Sequence, residues 1–318
     1  MQTALVAGGA GFIGSHLCSK LLNDGLKVLC VDNLITGQEE NIKNLQKNPN
    51  FKFINHDIIK PFEKHESSIE YIFHLASPAS PNERSPRSYI NHPLETLLSN
   101  SLGTYELLKL ANKHHSKFLY ASSSEVYGDS EISPQKEDYF GNVNPNGPRS
   151  VYDEGKRFGE AITMSYFRKE NLDVRIVRIF NTYGPNMTID DGRVVSNFIN
   201  QAIKDKPVTV YGEGLQTRSM CFVDDMVIGL KSALFLDKTK GEVINLGNPD
   251  EKTILEIAKI IKDMTNSKSE IVFDKMPQDD PKRRLPDISK AQKILNWQPK
   301  ISLRVGLEKT IEYFRSIN

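Results

Sequence analysis

A tyrosine and a lysine four residues apart, in the run Tyr152-Asp153-Glu154-Gly155-Lys156, lie downstream of Ser122-Ser123-Ser124-Glu125-Val126-Tyr127-Gly128. Positions i and i+4 share one helical face, so the ammonium can hold the phenol as phenolate. A phenolate there is a base able to take the proton of an alcohol while a hydride leaves its carbon. Ser123 can hydrogen-bond the same oxygen and steady the charge that develops on it. A free tyrosine titrates near pH 10, so basic work near neutrality needs a drop of roughly 3 pH units, about 4 kcal/mol. One ammonium at about 4 Å supplies about 1 to 4 kcal/mol, depending on the local dielectric. Lys156 alone therefore covers the requirement only in a dry site. Glu125 stands apart, because alcohol oxidation by itself does not need a carboxylate at that point.

The hydride needs an acceptor. Gly8-Gly9-Ala10-Gly11-Phe12-Ile13-Gly14 follows the first strand-like run and opens a helical one. Gly8, Gly11 and Gly14 permit a tight turn, close approach of backbone to a pyrophosphate, and helix–strand packing. The phosphates would sit on amide donors at the positive end of the helix. Asp32 ends the second strand, where its carboxylate can accept from both ribose hydroxyls and repel a 2′-phosphate. NAD is thus expected rather than NADP, and its positive nicotinamide supplements Lys156. Asp57, after the third strand, can reach the adenine edge.

These groups must be carried by a regular scaffold. Apolar runs at 3–7, 27–31, 51–54, 71–75, 117–121 and 174–179 read as buried strands, with helical patterns at 13–23, 94–114 and 152–170. Such alternation predicts an α/β fold, a Rossmann-like doubly wound parallel sheet with helices on both faces. Beyond Phe180 the pattern loosens: a turn-rich break at Asn181-Thr182-Tyr183-Gly184-Pro185, a helix at 194–204, a strand at 208–211 and a helix at 255–265. A charged, proline-bounded loop follows at 279–286. The expected organisation is an NAD-binding domain at 1–180 and a smaller C-terminal α/β substrate domain at 181–318. Part of 221–246 is expected to return to the first domain.

The 318 residues, 38% of them hydrophobic, suffice for a large core, and a net charge of +1 gives no reason to expect nucleic acid or an anionic membrane as partner. Three scattered cysteines (Cys18, Cys30, Cys221) suggest neither a disulfide framework nor a metal site. No apolar run is long enough to span a bilayer, and strand-like residues starting at Thr3 leave no room for a signal peptide. A cytoplasmic protein is expected.

The glycine turn, Ser123, Tyr152 and Lys156 resemble the extended short-chain dehydrogenase/reductase superfamily, whose members modify nucleotide sugars. Within it the chain most closely resembles the UDP-glucuronate decarboxylases. The runs that carry this are His74-Leu75-Ala76-Ser77-Pro78-Ala79-Ser80-Pro81, Ser124-Glu125-Val126-Tyr127-Gly128-Asp129, Tyr152-Asp153-Glu154-Gly155-Lys156-Arg157 and Asp191-Gly192-Arg193-Val194-Val195-Ser196-Asn197-Phe198. The likeness covers nearly the whole chain. It implies oxidation at the sugar C4, loss of carbon dioxide from the 4-ketone, protonation at C5 assisted by Glu125 with Ser124, and return of the hydride to give UDP-xylose. It also implies NAD contacts from Phe12, Ile13, Asn33, Ile58, Leu75, Ala76 and Asn100. Substrate contacts would come from Pro78, Asn181 (diphosphate), Val194, Val195 and Tyr211 (uracil and ribose), Arg218 (phosphates) and Arg284 (phosphate or sugar carboxylate). A homodimer through the helices at 94–114 and 152–170 is implied too.

Departures bear on the substrate. Ser123 stands where the family usually has Thr, Ser77 where it has Cys and Asn186 where it has Arg, and the loop at 82–92 is longer than typical. A Ser-Ser-Ser run is also similar to 4-epimerases, including those acting on UDP-glucuronate. A 4,6-dehydratase typically carries Asp then Glu after the Ser/Thr, and here Ser124 takes the Asp position, which cannot act as that acid.

Overall fold

Chain segments rich in β-branched and aromatic residues build a seven-stranded, wholly parallel sheet in the computed structural model, which describes residues 1–62 and 68–318. In spatial order the strands are Val243–Leu246, Val174–Ile179, Lys117–Ser123, Tyr71–His74, Thr3–Ala7, Lys27–Asp32 and Phe51–Asn55. Side chains alternate between the two faces of a strand, and here both faces are covered, so each strand is apolar almost throughout. Val6, Val28, Cys30, Phe73 and Leu119 pack against Leu17 and Leu21 of helix Phe12–Asn23 and Met226 and Leu230 of helix Val223–Phe235. Leu5, Leu29, Ile72, Phe118 and Ile176 pack on the other face against Leu107, Leu108 and Ala111 of helix Thr104–His114.

Strand order reverses between Thr3–Ala7 and Tyr71–His74, and the crevice outside the carboxyl ends at such a point is where ligands bind in open α/β sheets. The chain crosses this crevice after Val174–Ile179. Strand Val208–Tyr211 then pairs in parallel with Ile271–Asp274, while Thr217–Ser219 pairs with both Glu251–Thr253 and Arg283–Arg284. Helices Val194–Ile203, Ile254–Thr265 and Leu303–Ile317 pack around these strands.

Two local features differ from the sequence expectation. The helix expected at 94–114 is broken into Pro93–Leu98, a π-turn at Ser99–Gly103 and Thr104–His114. The cause is tertiary: Asn100 is fully buried, donating to Ser77 Oγ at 2.8 Å and accepting from Tyr120 Oη at 3.0 Å, and Gly103 lies against Ile58. The turn widens to keep those contacts. The charged segment expected as a loop at 279–286 holds the short strand Arg283–Arg284, whose register sets Arg284 beside Arg218. No helix among the described residues is long and apolar enough to cross a membrane.

Candidate active site

Two adjoining cavities of about 230 and 360 Å³ open along the carboxyl ends of the strands and share Gly8, Gly11, Thr36, Leu75 and Ser77 as walls. Gly8 holds φ +79°, and a Cβ there would sit 2.7 Å from Ala76 N; a Cβ on Gly14 would drive into the Gly8 carbonyl. Only glycine lets the helix start this close to strand and turn. Asp32 lines the larger cavity with Asn33, Asp57, Ile58, Ala76 and Pro78. Its carboxylate accepts from Ala10 N at 3.0 Å and Leu34 N at 2.8 Å, and burial raises its pKa. Each carboxylate oxygen keeps a second lone pair for a ribose hydroxyl. Phe12, Ile13 and Gly14 line the smaller cavity. These residues fit a dinucleotide. Asn100 is the exception among the expected contacts: it lies behind the wall and acts on the site through Ser77.

Strand Lys117–Ser123 delivers Ser123 to the smaller cavity, and the first turns of helix Ser150–Glu170 deliver Tyr152 and Lys156. Gly159 lets that helix pass directly over Tyr120. Lys156 Nζ donates to Ala121 O at 2.8 Å and lies 5.6 Å from the centre of the Tyr152 ring. Burial lowers Lys156 to about 7, with Glu160 opposing. Burial likewise pushes Tyr152 up to about 12, against a hydrogen bond from Ser123. Lys156 by itself therefore falls short of making Tyr152 a base, in line with the expectation that the nicotinamide charge supplements it. In a dry pocket both groups lean to their neutral forms, and a further positive charge is needed.

Glu125 opens the turn Ser124–Tyr127 and sits on the same wall. Its Oε2 accepts from Arg149 Nη2 at 2.5 Å and Arg284 Nη2 at 3.2 Å, and Oε1 accepts from Arg284 Nε at 3.3 Å. Burial would raise the Glu125 pKa, but Arg284 and Arg149 outweigh it and hold the carboxyl well below the usual range. Arg149 also reaches Asp280 at 3.2 Å, and Arg218 reaches the same carboxylate at 2.8 Å. Three guanidinium groups thus share two carboxylates, so cationic groups outnumber anionic ones by one. Beside them burial and the Glu125 charge push Asp153 up to about 8.

Of the expected substrate residues, Asn181 lines the smaller cavity and its Oδ1 has no hydrogen-bond partner among the described residues. Arg284 is 1% exposed and committed to Glu125 and the Gly128 carbonyl, so it stands behind Glu125. Arg218, Val194, Val195 and Tyr211 lie outside the walls of these two cavities. Side chains given no site role from the sequence are Arg149 and Arg193 on the wall, and Tyr89 of the loop at 82–92, whose ring stacks on Tyr152 at 4.9 Å and 12°. No group of His, Cys, Asp and Glu among the described residues could hold a metal ion.

Comparison with known proteins decides the family. The profile of the family described as GDP-mannose 4,6 dehydratase matches residues 5–310. A UDP-glucuronic acid decarboxylase 1 of Danio rerio is 49% identical over 310 residues, 98% of this chain and 72% of the relative. The chain belongs to the UDP-glucuronic acid decarboxylase family. A family member from Arabidopsis thaliana, also named UDP-glucuronic acid decarboxylase 1, is 49% identical over 98% of this chain and 69% of its own length. Among solved structures, the UDP-glucuronic acid 4-epimerase from Bacillus cereus in complex with UDP-glucuronic acid and NAD superposes with a TM-score of 0.87 at 30% identity, covering 100% of both chains. Against the family pattern, Ser123 keeps the hydroxyl at the strand end, Ser77 joins both cavities, and Asn186 donates to Ser15 Oγ at 3.0 Å.

Proposed function

We propose that this protein converts UDP-glucuronate to UDP-xylose and carbon dioxide with NAD retained throughout. The observation that carries the proposal is Glu125, kept ionised between Arg149 and Arg284 on the wall that also holds Ser123 and Tyr152. NAD, when bound, supplies the hydride acceptor and later donor at C4 and adds positive charge beside Tyr152 and Lys156. Tyr152 takes the proton of the C4 hydroxyl, and Lys156, fixed on the Ala121 carbonyl, favours the phenolate. Ser123 and protonated Tyr152 hold the C4 ketone oxygen. The C5–carboxylate bond breaks with its electron pair passing into the enolate, whose charge rests on that oxygen. A water then gives a proton to C5, and the hydroxide left behind is neutralised from solvent. Glu125 is too acidic to be the proton's reservoir, so its role is to orient that water, with Ser124 and Arg149 beside it. Tyr152 returns its proton to O4 as the alcohol re-forms.

Incubation with UDP-glucuronate tests this: carbon dioxide and a UDP-pentose are expected. UDP-galacturonate without carbon dioxide would identify a 4-epimerase, the reading favoured by the likeness to the Bacillus cereus enzyme. A 4,6-dehydratase is disfavoured by Ser124, which offers no acid for loss of a C6 hydroxyl. The proposal extends to the cytoplasm as compartment and to a homodimer, the latter supported by Leu102, Tyr105 and Phe158, exposed on helical segments that pack together and away from both cavities.

A further inference from the structure

The segment 80–92 crosses the mouth of the cleft and is tied down on both sides. Toward the C-terminal part of the chain, Ser85 Oγ donates to the Asp190 carbonyl and Asn82 Nδ2 donates to Gly192 O at 3.1 Å. Between these ties and the stacked Tyr89 stands Arg87. Its Nε donates to Asp190 Oδ1 at 2.9 Å and its Nη1 to Thr36 O at 2.8 Å. Thr36 lines both cavities and is followed by Gly37, which lies against the Asp32 carboxylate. Arg87 itself lines the cavity that contains the glycine turn, its side chain is 23% exposed, and its Nη2 meets no acceptor among the described residues. One guanidinium therefore spans from the ribose-binding rim to the opposite wall, with a donor left over in the cavity that the glycine turn also lines.

We propose that Arg87 is a cofactor-retaining residue, which bridges Thr36 to Asp190 over the dinucleotide and offers its remaining donor to the pyrophosphate. The inference rests on the NAD reading above. A planar guanidinium suits the task because it can hold a carbonyl, a carboxylate and a phosphate oxygen at once. The cycle returns its hydride, so no step requires the dinucleotide to leave. A clasp therefore slows release without slowing turnover.

Arg87→Ala, Arg87→Lys and Asp190→Asn variants, checked for unchanged melting behaviour, would be loaded with NAD and freed of excess by rapid gel filtration. Bound NAD is then assayed over time in the denatured supernatant. Loss of one charge-assisted bond predicts release about tenfold faster in Arg87→Ala. Arg87→Lys and Asp190→Asn are expected to lie between it and the wild type. Equal release rates in Arg87→Ala and wild type would overturn the clasp while leaving the NAD reading intact. Wild type that carries no NAD after loading would overturn both.

Discussion

Replacing Glu125 by Gln keeps the shape and one accepting oxygen but removes the charge that Arg149 and Arg284 share. At an effective dielectric near 20, unit charges about 4 Å apart interact by about 4 kcal/mol. Stripping one partner from a buried pair costs about 3–5 kcal/mol. Glu125 meets Arg149 at 2.5 Å and Arg284 at 3.2 Å, and the retained amide oxygen offsets part of the loss. Glu125→Gln should therefore destabilise the fold by about 3 kcal/mol in denaturant titration. Product formation should fall about 100-fold or more, the usual worth of a group that manages proton transfer. NAD binding should be unaffected, because Asp32 lines the adjoining cavity, whose walls do not include Glu125. Oxidation at C4 precedes the step that Glu125 assists, so rapid mixing with UDP-glucuronate should show reduced nicotinamide that forms and persists. A variant that makes product at the wild-type rate, or loses less than about 1 kcal/mol, would refute the assigned role and the ion-pair argument.

The buried lysine gives a pH-dependent prediction. Its pKa falls from 10.5 to about 7 on folding, so the folded state bears the cost of a buried charge below pH 7, and that cost disappears as pH rises toward 10.5. Lys156→Met should abolish activity yet raise the stability of protein stripped of nucleotide at pH 6, by at most about 5 kcal/mol. The gain should shrink above pH 7, and a gain independent of pH would contradict the burial argument. If the exposed apolar side chains pair two copies, Leu102→Asp with Phe158→Asp should yield the mass of one chain in sedimentation velocity where the wild type gives two. A wild-type monomer would remove that proposal.

Much of the scaffold was legible because its signals are local. Runs such as Thr3–Ala7 and Val174–Ile179 are apolar throughout, and the glycine turn, Asp32 and Ser123 each sit at a strand end that the sequence marks. The π-turn at Ser99–Gly103 was not legible, since Asn100 and Gly103 take that shape for contacts with Ser77, Tyr120 and Ile58. Arg218 and Arg284 invited a reading as direct ligands. The pairing of their strands sets them side by side, in ion pairs with Asp280 and Glu125. Arg149 gave no signal at all, because its partners lie 24 and 131 residues away. The stacking of Tyr89 on Tyr152 is likewise a product of how a long segment folds back.

The central claim is that oxidation at C4 ends in loss of the C5 carboxyl. Incubating the purified protein with UDP-glucuronate labelled in that carboxyl, and counting released carbon dioxide against nucleotide-sugar product, tests it directly. One carbon dioxide for each UDP-xylose formed is expected, with no NAD consumed. Label kept quantitatively in a UDP-hexuronate product would contradict it.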